Sequence, residues 1–403
     1  MPNPGFGSRG LAILAGVASS IVASLVYPYI AYFLTQEQGY SLTEAASLIG
    51  FATAINVIVR LVAGRLIDHI HLYKLATIGL ILAVALPVFL VWHPTWGAVL
   101  FGLVTYTAGA VLFGASMTLV IYSTDEPEVE QKINFSYYYA ASNLFLGLAP
   151  IAIFCFAVDS YRMVFISAIF LQLVSIVGVL LMLIRRAPKQ QKKNSPPPKM
   201  MRAYSGLFTK EFAIIFLIGC GYSCIYQQLT SNISLLLKDT QVWGRDVYPV
   251  LIAINGLMIV AIQPFYVRVL KKHQTQDVLL PGVFMLLVSV AFLTLPTPLL
   301  YALLPFALLF TMAEFFVNLG LTDALIAVAP FEARGTWISC FALSRMAGAV
   351  GVPLGSMIIE DYGVSSYTWA LLGVCGVILS LSYVSSKLRR ANHCVPVDEA
   401  TSC

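Results

Sequence analysis

Between Arg185 and Lys210 the chain reads RRAPKQQKKNSPPPKMMRAYSGLFTK, and this stretch constrains the fold more than any other. It holds eight of the 24 Lys and Arg residues and no Asp or Glu. Pro196, Pro197 and Pro198 favour extended polyproline structure and stop any helix that enters them. On either side lie apolar stretches of nearly equal length, Leu11 to Ile184 and Glu211 to Ser386. A basic, structureless segment between two apolar halves predicts a membrane protein in two parts, joined on the side where positive charge collects.

Composition agrees. The 403 residues are 59% hydrophobic and 11% charged, against about 25% charged in a soluble domain. So few charges cannot cover a water-exposed surface, and the bilayer must be the main solvent. The net charge of +5 does not point to nucleic acid, because the basic residues sit between apolar spans. Cys155, Cys220, Cys224, Cys340 and Cys375 lie inside those spans and Cys394 and Cys403 in the tail, without metal or redox spacing. There is no Gly-rich phosphate loop, and no cofactor or metal is expected. The start, MPNPGFGSRG, leads straight into an apolar stretch and is expected to be a retained first helix.

A helix needs about 20 apolar residues to cross a bilayer. By that measure the sequence predicts an all-α membrane protein with twelve spans, near 11–34, 43–67, 73–92, 97–122, 134–157, 163–184, 211–237, 247–270, 277–296, 299–328, 336–358 and 365–386. They form two six-helix, pseudo-symmetric halves, 1–184 and 211–390, with the linker 185–210 between them and a tail over 391–403. Placing the linker in the cytoplasm puts Arg65, Lys74, Lys132, Arg268, Lys271, Lys272, Arg334, Lys387, Arg389 and Arg390 on that side, with Arg9 at the inner N-terminus. Only Arg162, Lys238 and Arg245 fall at the opposite loops. Both termini are therefore expected inside. The acidic connection STDEPEVEQK is expected at the inner face, pairing with the basic linker.

In span 1, Ser20, Ser24 and Tyr27 share a helical face, and Pro28 then kinks or breaks the helix. Tyr27 fits two roles, an interhelical hydrogen bond or the wall of a polar cavity. In span 2, Asn56, Arg60, Gly64 and Asp68 recur every four residues. Arg60 lies well inside the span, where a charge costs roughly 3 kcal/mol or more. It is either paired or snorkelling, or it serves a substrate or gate.

The stretch Gly64-Arg-Leu-Ile-Asp68-His-Ile-His-Leu-Tyr-Lys74 resembles the signature G-x-x-x-D-R/K-x-G-x-R-R/K that the major facilitator superfamily carries between spans 2 and 3. Gly64 and Asp68 match; His69 replaces the basic residue after the Asp, and the later basic cluster shrinks to His71 and Lys74. The resemblance implies the major facilitator fold over essentially the whole chain, acting as a monomer in the lipid bilayer. It also implies that Asp68 caps the N-terminal end of span 11 and latches the outward-open state. Here that end lies near Gly335-Thr336-Trp337.

The later spans supply the other candidates. Span 4 has no Arg between Leu100 and Tyr122, unlike the drug-exporter branch of that family. Span 5 carries Asn143, Gly147 and Pro150, a weak likeness to that branch's Gly/Pro-rich signature. Span 7 has Ser223, Gln227, Thr230 and Ser234 on one face with Tyr226 beside it, and span 8 adds Asn255 and Gln263. Span 10 holds Glu314 near its middle, in a stripe with Thr311, Asn318 and Thr322. Asp323 is nine residues further on, about half a turn off at 3.6 residues per turn, so it points away and sits nearer the inner surface. It joins Gly64 and Asp68 as a gating candidate. Span 11 contributes Arg345 among the small residues Ser344, Gly348, Gly351 and Gly355.

Glu314 together with ARGTWISCFALSRMAGAVG resembles the twelve-span drug:proton antiporter branch. The first expectation is thus a secondary transporter of a bacterial inner membrane working by alternating access. It exports a small amphipathic molecule, a drug or secreted metabolite, against protons carried by Glu314. Tyr27, Asn56, Arg60, Asn143, Tyr226, Gln227, Asn255, Asn318 and Arg345 are the candidate substrate residues. Import of a small anionic nutrient or chelate on Arg60 or Arg345 is the runner-up, and a non-transporting receptor on the same fold stays open. A structural Glu314–Arg345 ion pair is the alternative role for the acid. An enzyme is not expected, because His69, His71, His93, His273 and His393 complete no catalytic or metal-ligand pattern.

Overall fold

The computed structural model describes residues 4–26, 29–30, 33–40, 48, 55, 59–60, 62–92, 94–122, 126–155, 161–185, 209–230, 232–233, 241–242, 245–272, 278–295 and 299–393. These are almost entirely helical. The helices are α1 (Pro4–Leu25), α2 (Leu72–Trp92), α3 (Trp96–Tyr122), α4 (Glu128–Cys155), α5 (Tyr161–Arg185), α6 (Lys210–Thr230), α7 (Val247–Lys272), α8 (Leu279–Phe292), α9 (Leu299–Val328), α10 (Arg334–Phe341) and α11 (Met346–His393). The exception is a two-residue antiparallel pairing of Gln241–Val242 with Arg245–Asp246. The basic linker that organises the sequence lies outside the described residues from 186 to 208.

Among the described residues, five stretches are long and apolar enough to cross a membrane: Leu72–Trp92, Trp96–Tyr122, Tyr161–Leu181, Leu303–Val328 and Phe331–Leu388. Three shorter apolar helices, Arg9–Leu25, Ala253–Val269 and Leu279–Phe292, accompany them. Two boundaries differ instructively from expectation. α1 begins at Pro4, because proline's fixed φ suits the first helical position, and it ends at Leu25, just before the Tyr27-Pro28 pair. α11 runs on to His393 but breaks at Gly363, with φ 82° and ψ 169°. An L side chain rarely adopts that φ, so the glycine sets the boundary between two helical segments.

The chain forms two compact units. One comprises Met1–Tyr204, Asp239–Thr275 and Ala329–Leu343; the other comprises Ser205–Lys238, Gln276–Val328 and Ser344–Cys403. In the first, α2 packs on α3, α4 on both α1 and α7, and α5 on α1 and α2. Its apolar core includes Ile21, Phe33, Leu86, Leu103 and Phe165, with the Phe33 and Phe165 rings edge-on at 5.0 Å. In the second, α11 packs on α6 and α8, and α9 on α8 and α6.

Small residues let these backbones approach, as they do where helix association cannot draw on a hydrophobic drive. At the α4–α7 crossing, a methyl on Gly256 would sit 2.6 Å from Gly147 Cα and 2.7 Å from Asn143 O. At the α2–α3 crossing, a methyl on Gly79 would sit 2.7 Å from Gly109 O.

Acids at and just before the start of α4 have partners within the first unit. Glu130 pairs with Arg9 of α1 at 2.6 Å, and Glu128 pairs with Lys132 at 2.8 Å. The Asn134 amide donates to Glu126 Oε2 at 2.6 Å.

Candidate functional site

Within the first unit, helical residues 62–69 bring Asp68 against the start of α10. α10 has no side-chain cap of its own at Ala333, so its first N–H groups need an acceptor from elsewhere. Asp68 supplies it from far away in sequence. The Gly335 N–H donates to Oδ1 at 2.7 Å, the Thr336 N–H donates to Oδ2 at 3.0 Å, and the Thr336 hydroxyl also donates to Oδ2. The carboxylate is 5% exposed and sits at the positive end of a helix. The approach depends on two glycines. A methyl on Gly335 would lie 2.7 Å from Asp68 Oδ1, and one on Gly64 would lie 2.9 Å from Thr336 Cα.

Within the second unit, Glu314 is 2% exposed and lies halfway along α9. The polar side chains around it bond mostly to their own helix, which lets the stripe sit among apolar neighbours. Thr311 donates to Ala307 O at 2.7 Å, Asn318 to Glu314 O at 2.9 Å and Thr322 to Asn318 O at 2.9 Å. The Asn318 amide also donates across to the Tyr222 hydroxyl of α6 at 3.0 Å. Rings surround this junction. Tyr222 and Tyr226 are 5.8 Å apart, Tyr226 stacks on Phe310 at 6.2 Å, and Phe306 lies 5.3 Å from Phe310.

Arg345 ends the turn Ala342–Arg345 and is exposed. It stands near Tyr222, because the next residues of α11 pack on the same part of α6. The Cys224 thiol donates to Ala347 O at 3.2 Å, and a methyl on Gly348 would lie 2.7 Å from Ser223 O. Glu314 and Arg345 do not touch as an ion pair.

A second polar cluster in this unit escaped the sequence analysis. Asn232 donates to Gln228 Oε1 at 2.7 Å and to Val352 O at 3.0 Å. Ser356 donates to Asn232 Oδ1 at 2.7 Å, and the Tyr367 hydroxyl donates to Gln228 Oε1 at 3.1 Å. The available signal was Cys224, Gln228 and Asn232 at four-residue spacing, matched by Gly348, Gly351 and Gly355 on the partner helix. The sequence analysis weighted the neighbouring face, with Gln227, instead.

The profile of the Major Facilitator Superfamily matches residues 12–353. The chain belongs to the major facilitator superfamily. With its apolar helices, that makes it an integral membrane protein. A search of curated proteins gives no match. Solved structures share the fold at low identity. The human organic anion transporter MFSD10 (TETRAN) superposes with a TM-score of 0.71 at 14% identity, covering 94% of this chain and 100% of that one. A bacterial homologue of the iron transporter ferroportin, in an outward-facing state, gives 0.75 at 13%, covering 94% and 99%. A POT family transporter in complex with a thioalcohol-conjugated peptide gives 0.66 at 15%, covering 95% and 96%.

In this major facilitator chain the sequence-derived candidates fall into separate groups. Gly64 and Asp68 meet the start of α10. Asn143 and Asn255 are both buried at the α4–α7 crossing, where the Asn143 amide donates to Tyr139 O at 2.8 Å. Arg60 is half-buried. Tyr226, Glu314, Asn318 and Arg345 belong to the junction around Tyr222, and Gln227 is half-buried beside Gly348. Asp323 is half-buried further along α9. Tyr27 and Asn56 lie outside the described residues. Tyr222 itself, which bonds the Glu314 helix to α6, was not among the candidates.

Proposed function

We propose that this chain is a proton-coupled secondary transporter for a small amphipathic molecule, and that Glu314 carries the proton. The placement of Glu314 carries the proposal. It is a mid-helix carboxyl, 2% exposed, in a membrane protein, with an amide and two phenols nearby. Ionising a carboxyl at that burial is costly, so protonation and release become coupled to the opening and drying of the site. Approach of Arg345 favours the ionised form and a dry site the neutral one. Alternating access moves the substrate, with twelve spans in halves 1–184 and 211–390 and both termini in the cytoplasm. The Asp68 contact with α10 acts as the latch, and Asp323 and Gly64 contribute to gating.

Efflux against entering protons is the first choice of direction. It is supported by the likeness of Glu314 and the Arg-Gly loop before the Gly-rich span 11 to drug:proton antiporters. The exposed Arg345 favours a second choice, uptake of a small anion. Proteoliposomes with an imposed pH gradient and a substrate panel decide between them. Glu314→Gln should fold and bind substrate yet lose gradient-driven movement. Full proton-coupled transport in a stable Glu314→Gln protein would refute the role.

A further inference from the structure

Near the end of α6 the second unit holds a buried polar clasp whose parts come from three places in the chain. Gln228, Asn232 and Tyr367 are at most 2% exposed, in a protein whose hydrocarbon surroundings offer no substitute partner. The Asn232 amide donates to Gln228 Oε1 and to Val352 O, and the Asn232 oxygen accepts from Ser356. Gln228 Oε1 accepts from the Tyr367 hydroxyl as well, and the Gln228 amide returns to Cys224 O at 3.0 Å.

Glycines let these parts meet. Gly363 breaks α11 with φ 82°, and the second segment brings Tyr367 to the same glutamine that Asn232 holds. Gly355 is the floor of the clasp. A methyl there would lie 2.5 Å from Asn232 Nδ2, 2.7 Å from Gln228 Oε1 and 3.1 Å from Tyr367 Cε2. Earlier in α6, Cys224 lies against Gly351 of the first α11 segment, and Gly221 lies against Ile378 of the second.

We infer that Gln228, Asn232, Ser356 and Tyr367 make the end of α6 and both segments of α11 one body that opens only as a whole. The bonds share atoms. Gln228 Oε1 serves two donors, and Asn232 serves Gln228, Val352 and Ser356. Losing one group therefore strips partners from the others while they are still buried, and the network fails together rather than bond by bond. The contact of α6 with α9 is built differently, through the Asn318–Tyr222 bond and the stack of Tyr226 on Phe310. A rearrangement around Glu314 then falls between α9 and this body, not within it. That consequence rests on Glu314 carrying the proton; the clasp itself does not, and its test needs no substrate.

Hydrogen exchange read by mass spectrometry reports the opening of each segment. The sample is the full-length protein, in detergent and in liposomes of phosphatidylethanolamine and phosphatidylglycerol. In the parent, the most protected amides of the peptides containing Asn232, Ser356 and Tyr367 should have protection factors within about fivefold of one another. Asn232→Ala should speed exchange about tenfold or more in all three. That includes the Tyr367 peptide, which Asn232 reaches only through Gln228. Tyr367→Phe keeps the ring and removes the hydroxyl. It should speed exchange about threefold or more at Ser356, which that hydroxyl does not touch. Ser366→Ala is the control, since its hydroxyl bonds within its own helix; it should change the three peptides by less than about twofold.

Acceleration confined to the peptide that carries the substitution overturns the inference. So do parent protection factors more than about fivefold apart. The parent comparison and Tyr367→Phe still decide the matter if Asn232→Ala does not fold. Gradient-driven transport that survives in Glu314→Gln overturns the proton role and leaves the clasp standing.

Discussion

Asp68→Asn isolates the charge at the start of α10 while keeping the side chain's shape. The native carboxylate accepts from the Gly335 N–H, the Thr336 N–H and the Thr336 hydroxyl. An amide keeps one acceptor oxygen and turns an NH2 toward a donor. Losing one bond to a charged acceptor costs about 1.5–3 kcal/mol, and losing a negative charge at a helix N-terminus about 0.3–2 kcal/mol. These overlap, so the contact should weaken by about 2–4 kcal/mol. Cys340 reports on it, being 8% exposed in the same helix. In a background where it is the sole cysteine, maleimide labelling follows opening of the contact. At about 1.4 kcal/mol per decade, Asp68→Asn should speed labelling at least about thirtyfold. Thr336→Val removes only the hydroxyl and should give about tenfold. The double variant should fall short of the product, because the hydroxyl loses its acceptor in either case. A labelling rate in Asp68→Asn within about twofold of the parent would show that the carboxylate does not hold α10 closed.

Gly256→Ala places a methyl against the backbone of Gly147 and Asn143, and should cost about 1–3 kcal/mol in thermal stability by overpacking. Gly373→Ala is the control, since a Cβ there meets nothing within 4 Å; it should stabilise by about 0.5–1 kcal/mol. Asn232→Ala strips Gln228, Ser356 and Val352 of a shared partner and should destabilise by about 1–3 kcal/mol; an unchanged melting point would mean that the cluster is dispensable. Protease added to the outside of intact spheroplasts should leave the Arg185–Lys210 linker uncut, and cleavage there would reverse the assigned sides.

The sequence alone indicated the solvent and a helical membrane protein, and it singled out Gly64, Asp68 and Glu314. A chain with 11% charged residues cannot face water, and that needs no coordinates. Gly64 and Asp68 were legible because a glycine–acid spacing survives as a local pattern. Glu314 was legible because a lone acid stands out against an apolar run. Partnership was not legible. Which donors fill Asp68, that Tyr222 rather than Arg345 joins the Glu314 helix to its neighbour, and that Gln228 and Asn232 face α11 are outcomes of helix rotation and close crossing. Helical periodicity gives a face but not the neighbour it meets. Burial is likewise tertiary, since nothing in ARGTWISCFALSRMAGAVG says that Arg345 is exposed while Glu314 is enclosed. That contrast arises where glycines such as Gly348 let α11 settle onto α6.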